Sequence, residues 1–287
     1  DLVLESVVEA LKRAGLENGT VGLVGGDVLP VDTFMGIKSG VPGISWDSAG
    51  GILSTLRAVK SAGEIALLDQ SAKVGSRTIE AMMAAAVPGA THGDVVAAGQ
   101  QVLNAAGGVL YNSFMASGRG GDDPVLVKSN FPTWGSSEPL QEGHWLRLGI
   151  SGVLNGYYFD VSRSKAIGPP SNRQIDLFEA AIASVEAGIE AVRVGATAEQ
   201  LAQAGLGKQE ELGFEIKGVF SGLGHGIGLG WDSPWLAPGD ATVLCPGMVL
   251  NFERTITQDG FLGDFEETVV VTEEGYDRLT DAQLRFW

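Results

Sequence analysis

The chain has 287 residues, 44% hydrophobic and 19% charged, which is enough apolar material for a substantial core and too little charge for a disordered chain. A formal net charge of −16 argues against nucleic acid or an anionic membrane as partner, because both repel an acidic surface. One cysteine, Cys245, excludes an intrachain disulfide and fits a reducing, cytoplasmic setting; no run reaches the ~18 apolar residues of a membrane span, and no signal peptide is visible.

Residues 1–55 have a character of their own. "LVLESVVEALKRAGL" places apolar residues at helical spacing, "TVGLVG" reads as a short strand, and "KSGVPGISWDSAGG" is turn-rich. Together they read as the C-terminal part of an N-terminal α/β domain that begins upstream. "ILSTLRAVKSAGEIALLDQSAKVGSRTIEAMMAAA" then predicts one or two long helices.

The remainder, 56–287, carries a weak internal repeat with halves of about 65–168 and 169–287. In each half a helix precedes Gly-Ala-Thr (89–91 and 195–197), which caps a second helix ending near glycine. Strand-like sequence follows in both, "VLYNSFMASG" and "EIKGVFSGLG". Further on, "LQEGHWLRLG" matches "LCPGMVLNFE", bringing Gly143 into register with Gly247 and Gly149 with Glu253. Two βαα-like halves sharing a sheet explain the pattern, with a site between them. Cys245, before Pro246-Gly247 in an apolar segment, is expected as a buried structural thiol.

Four residues stand out chemically. Asp160 ends the aromatic run of "NGYYFDVSRS", Glu253 lies inside the apolar "VLNFERTI", and Glu266 precedes the apolar "TVVV". Acids in strands that read as buried are costly unless paired or bound to a cation. The neighbouring Arg163 and Arg254 are the structural alternative, as ordinary ion-pair partners. His225, in "SGLGHGIGLG", stands between glycines that let backbone and ligand approach closely. Oxygen donors with one imidazole suit a divalent transition metal: manganese, iron, cobalt or zinc. Of the other two histidines, His92 is expected as an exposed cap-region residue and His144 at a loop edge. Trp231, Tyr158 and Phe131, with Tyr157, Phe159 and Trp235, are candidates to line a substrate pocket, against core packing as the alternative. "SGRGGDDPV" reads as a solvated turn with Asp122 and Asp123 exposed.

From about Ser54 to the C-terminus these segments resemble the pita-bread family of methionine aminopeptidase, Xaa-Pro aminopeptidase and creatinase. "LRAVKSAGEIALLDQSA" is similar to its Arg-x-x-Lys-x-x-x-Glu-Ile helix, and "NGYYFDVSRS" to its Gly-Tyr-x-x-Asp-[IV]-[ST]-Arg-[ST] segment. "GLGHGIGLG" resembles its His-Gly-[IV]-Gly, "VLNFERTI" its Val-x-x-x-Glu-Pro with Arg254 for proline, and "FEETVVVTEEGYDRLT" its Glu-[DE]-Thr-Val-x-Val-Thr-x-x-Gly ending. The resemblance implies an α/β (α+β) pita-bread fold, two pseudo-symmetric halves around a curved antiparallel sheet, and a homodimer. It further implies metal ligands at Asp160, His225, Glu253 and Glu266, with His225, Glu253 and Glu266 also catalytic. The family's remaining metal-binding Asp falls at Gly149, so one mononuclear site is expected rather than two metals. A family histidine upstream of the first metal strand has no counterpart in "VLVKSNFPTWGSSEPL", and Trp231 stands near the place of another, which argues against ordinary aminopeptidase activity.

The expected function is a metal-assisted hydrolase of a C–N bond in a small polar molecule. The alternatives are a metal-free creatinase-like amidinohydrolase, a lyase of the dimethylsulfoniopropionate-cleaving type, and a non-catalytic binding protein.

Overall fold

The computed structural model describes residues 2–217 and 221–287. The chain divides into two compact units, Asp1–Arg57 and Ala58–Trp287.

In the first unit, helix α1 (Leu2–Arg13) is followed by strand β1 (Asn18–Leu23), helix α2 (Val31–Gly40) and strand β2 (Gly43–Ser48). β1 and β2 pair in parallel from Asn18↔Gly43 to Leu23↔Ser48. The stretch expected to be turns thus holds a strand. Alternation accounts for it: Ile44 and Trp46 face a small core with Ile37 and Val41 while the residues between them face out. Helix α3 (Gly50–Ala58) closes the unit.

In the second unit the helices are α4 (Ala62–Ala85), α5 (His92–Ala105), α6 (Asn172–Glu190) and α7 (Ala198–Glu211). The single apolar run from Ile52 to Ala86 breaks into α3 and α4 because Ser61 caps α4, with Glu64 closing the capping box. Equivalent boxes start the others: Thr91 with Asp94, Ser171 with Gln174, and Thr197 with Gln200. Both Gly-Ala-Thr sequences therefore do the same work, each behind a left-handed glycine, Gly89 at φ 90° and Gly195 at φ 85°.

The strands of this unit are β3 (Val109–Gly118), β4 (Leu126–Phe131), β5 (Trp145–Leu154), β6 (Tyr157–Ala166), β7 (Gly224–Ile227), β8 (Trp231–Leu236), β9 (Val249–Gln258), β10 (Phe261–Thr272) and β11 (Gly275–Arg278). They form two antiparallel sheets, ordered β4-β3-β5-β6 and β11-β10-β9-β7-β8. The halves correspond as α4-α5-β3-β4-β5-β6 to α6-α7-β7-β8-β9-β10. Within "EIKGVFSGLG", residues 215–217 are not in a strand, 218–220 lie outside the described residues, and β7 begins only at Gly224.

One face of each sheet packs on its helices. Leu148, Ile150, Phe159 and Val161 join Val74, Ile79 and Met82 of α4 in one core. Phe252 and Phe265 join Phe178, Val185 and Leu201 of α6 and α7 in the other. Since side chains alternate along a strand, residues between these apolar positions must point to the opposite face, where the halves meet.

Candidate functional site

Period-two alternation assembles the site. On β5 it sets Arg147, Gly149 and Ser151 on one face; on β6, Asp160; on β9, Asn251, Glu253 and Thr255; on β10, Asp264 and Glu266. Antiparallel register then pairs Ser151 with Asp160, Glu253 with Glu266, and His225 of β7 with Asn251. Arg147, Gly149, Ser151, Asp160, His225, Glu253 and Glu266 line a cavity of about 260 Å³ whose walls include Phe114, Trp231 and Trp235.

His225 is placed by its glycines. A Cβ on Gly224, which lies at φ 148°, would fall 1.9 Å from the Asn251 carbonyl oxygen, and one on Gly226 would fall 2.4 Å from that of Ser233. Only glycine on both sides lets the histidine strand press this close to its neighbours. Nδ1 lies 3.0 Å from the Gly226 carbonyl oxygen, which can only accept, so Nδ1 is the donor of that bond and Nε2 faces the acids. Nε2 is 3.8 Å from Asp160 Oδ2 and 3.8 Å from Glu253 Oε1. Donor atoms of Asp160, His225 and Glu266, all buried, lie within 4.8 Å of one another, close enough to share one ion.

Hydrogen bonds hold the acids. Ser151 Oγ donates to Asp160 Oδ1 at 2.9 Å, and Trp231 Nε1–H donates to Asp160 Oδ2 at 2.5 Å. Asn251 Nδ2–H is shared between Glu266 Oε1 at 3.2 Å and the Asp160 carbonyl oxygen at 3.1 Å. Burial raises the pKa of all three carboxyls. Glu253 is pushed up to about 7, with His225 opposing the rise and Asp160 adding to it. Glu266 is driven well above the carboxylate range by burial and then by Asp160 and Glu253. Like charges crowded in a dry site call for a cation or for protons.

One cation is part of the chain. Arg147 Nε donates to Asp264 Oδ2 at 2.7 Å, and Asp264 also accepts from Thr255. The guanidinium lies over Gly149: a Cβ there would stand 3.0 Å from Nη1 and 3.1 Å from both Cζ and Nη2. The arginines favoured by sequence proximity serve elsewhere. Arg163 binds Glu267 and the Glu266, Ala282 and Gln283 carbonyls, and Arg254 binds Gln209 and the Gly222 carbonyl. Arg147 escaped the sequence reading, yet its signal was there, two residues before Gly149 and so on the same strand face.

The pocket candidates divide. Trp231 and Trp235 line the cavity. Tyr158 stands behind Trp231, ring centroids 6.5 Å apart, with Tyr111 5.6 Å from the same indole. Phe131 does not join the site; it packs on the α4–α5 core and over Gly135. Tyr157 donates to Glu64, and Phe159 faces the opposite side, against Gly75 of α4. Asn112, Phe114, Ser151 and Asn251, which line or brace the site, carried no sequence signal beyond strand alternation.

Two other expectations are corrected, for His92 and Cys245, while His144 lies at the loop edge before β5 as expected. His92 is buried, not exposed: as the first residue of α5 it turns inward, with Nδ1 2.7 Å from Ser129 Oγ and Nε2 3.2 Å from Ser117 Oγ, and burial lowers its pKa to about 4. His144 is also buried, accepting from the Gln141 amide through Nδ1 at 3.3 Å. Cys245 is exposed, because the segment's burial falls on Leu244 and Met248 instead. Asp123 is held in its turn by the Arg119 amide at 3.1 Å.

The family model for metallopeptidase family M24 matches residues 66–273. The chain is 26% identical over 236 residues to the Xaa-Pro dipeptidase of Pyrococcus furiosus, covering 81% of this chain and 66% of that protein. It is 31% identical over 252 residues to the probable dipeptidase PepE of Mycobacterium tuberculosis, covering 86% of this chain and 63% of that one. The chain thus spans less than two thirds of the length of these curated relatives. Among solved structures, the prolidase from Pyrococcus furiosus superposes with a TM-score of 0.82 at 22% identity, covering 95% of this chain and 79% of that one, a likeness of fold.

Proposed function

The chain belongs to metallopeptidase family M24, and from that premise we propose that it hydrolyses a C–N bond of a small polar substrate with one divalent transition metal ion held by Asp160, His225, Glu253 and Glu266. The observation that carries the reading is the buried triplet of Asp160, His225 and Glu266, with donor atoms within 4.8 Å, on the wall of a cavity. The donor set fits such an ion. His225 Nε2 faces the acids and would donate its lone pair to an ion, and the carboxyls outnumber Arg147, the cation beside them. Manganese, iron, cobalt and zinc all accept these donors.

A bound ion would supply Lewis acidity and lower the pKa of a bound water. The chain's own groups do the rest. Glu253, on the cavity wall, would take a proton from water and return it to the leaving nitrogen. Arg147 borders the cavity with N–H donors that can meet a developing oxyanion. Trp231 fixes Asp160 and, with Trp235 and Phe114, gives the cavity an aromatic wall. About 260 Å³ suits a small molecule. The relatives' names point to dipeptides, but His92 and His144 are not among the cavity-lining residues, which supports a substrate outside ordinary aminopeptidase chemistry.

One observation favours a second, metal-free reading of the creatinase-like kind: Ser151 and Trp231 already satisfy both Asp160 oxygens. Metal content by plasma mass spectrometry separates the two. About one equivalent of transition metal, lost in Asp160→Ala and His225→Ala, supports the proposal. No metal after incubation with manganese, iron, cobalt and zinc sinks it and supports the second reading. A cytoplasmic homodimer completes the proposal. It is supported by the single cysteine, by the want of any helix among the described residues long and apolar enough to cross a membrane, and by the family resemblance. Light scattering of the purified protein checks the dimer.

A further inference from the structure

Arg147 is a half-buried cation with an unusual setting. Its side chain is 18% exposed, its Nε is tied to Asp264, and its terminal amino groups lie where a side chain on residue 149 would begin. Any Cβ at 149 would sit about 3 Å from the guanidinium carbon, closer than ordinary packing allows. Gly149 is therefore a cradle, and the pair forms a unit in which the missing side chain makes room for the charge. Asp264 itself is 1% exposed and held by Thr255, so the guanidinium is pinned on a rigid strand pair.

That fixed charge faces the acids. Arg147 and both Glu253 and Glu266 border the same cavity, and Glu253 and Glu266 sit opposite each other across β9 and β10. Where few waters intervene, a fixed unit positive charge repels a second cation more strongly than it would in bulk water. We propose that Arg147, cradled by Gly149, is a built-in cation that compensates Glu253, Glu266 and Asp264 and keeps a further divalent ion out of their side of the cavity. This deepens the function proposed above and rests on that reading for the ion on the histidine side. It assigns Arg147 a positioning and charge-compensating role.

The test counts Mn²⁺ equivalents by calorimetric titration of the metal-depleted protein. Wild type, Arg147→Lys, Gly149→Asp, Arg147→Ala and the double variant Arg147→Ala/Gly149→Asp are compared. The double variant is expected to bind one equivalent more than wild type, because removing the guanidinium frees Asp264 and leaves Glu253 and Glu266, shared with the first ion, without their fixed counter-charge, and Asp at 149 adds a further carboxylate. Arg147→Lys and Gly149→Asp are expected to match wild type, the first by keeping the charge and the second by pairing its new carboxylate with Arg147. If the double variant fails to melt cooperatively, Arg147→Ala alone must gain the equivalent, with weaker affinity. No gain in either Ala-bearing variant that folds overturns the inference, and so does a gain in Arg147→Lys. The reading is an increment over wild type. A wild type that binds no Mn²⁺ therefore counts against the proposed function, while the increment still decides the role of Arg147.

Discussion

Each of the four residues singled out in the sequence sits on a strand, and three of them sit where burial fights ionisation. Glu253 makes this measurable. Its folded pKa of about 7 lies above its ordinary 4.5, so folding favours the protonated acid. The associated stability is fully present below the unfolded pKa and is lost as pH rises through about 7. Asp160 and Glu266 shift the same way. The metal-depleted protein is therefore expected to melt at a lower temperature at pH 8 than at pH 5. Glu253→Gln should remove part of that slope, on the order of 2 kcal/mol. A melting temperature that rises with pH in the metal-depleted wild type contradicts the assignment. His225 shows how far a residue reading reaches. Its flanking glycines marked it in the sequence, but the reason, contact with the Asn251 and Ser233 carbonyls, belongs to neighbouring strands.

Helix starts are written locally and were legible. The Thr91–Asp94 and Thr197–Gln200 boxes need residues only three apart. Thr197→Ala is expected to cost about 1 kcal/mol in denaturant unfolding while leaving metal stoichiometry unchanged, since the box lies at a helix start away from the cavity residues. A change in stoichiometry without a change in stability reverses that assignment. Strands were read less well. Gly43–Ser48 hides among turn residues because a six-residue strand needs only Ile44 and Trp46 to bury. Cys245 and His92 were misplaced for a related reason. A residue's side of its element is set by the partner element, and neither "LCPGM" nor the start of α5 carries enough periodicity to reveal it.

Across the second unit, the site lies on faces of both sheets that the helices do not cover, so its formation and the closure of the two halves depend on each other. Binding one ion there should stabilise the whole unit by mass action. At a free concentration about 100 times Kd the gain is about 2.7 kcal/mol, seen as a raised melting temperature. The shift should vanish in His225→Ala. A shift of equal size in that variant would place the ion elsewhere.

By itself the sequence determined the family, the helix pair joined at Gly-Ala-Thr in each half of the second unit, and the four chemically distinctive residues. All of these follow from local spacing or from motifs of a few residues. Tertiary structure alone decided which arginine enters the site. Arg163 and Arg254 neighbour the acids in sequence but alternate to the opposite strand face, while Arg147, from another strand, reaches Asp264 more than a hundred residues away. It likewise sent Phe131 into a core and His92 onto two serines. Charge compensation and packing act through space between strands, and register between distant segments is settled only when the sheets close.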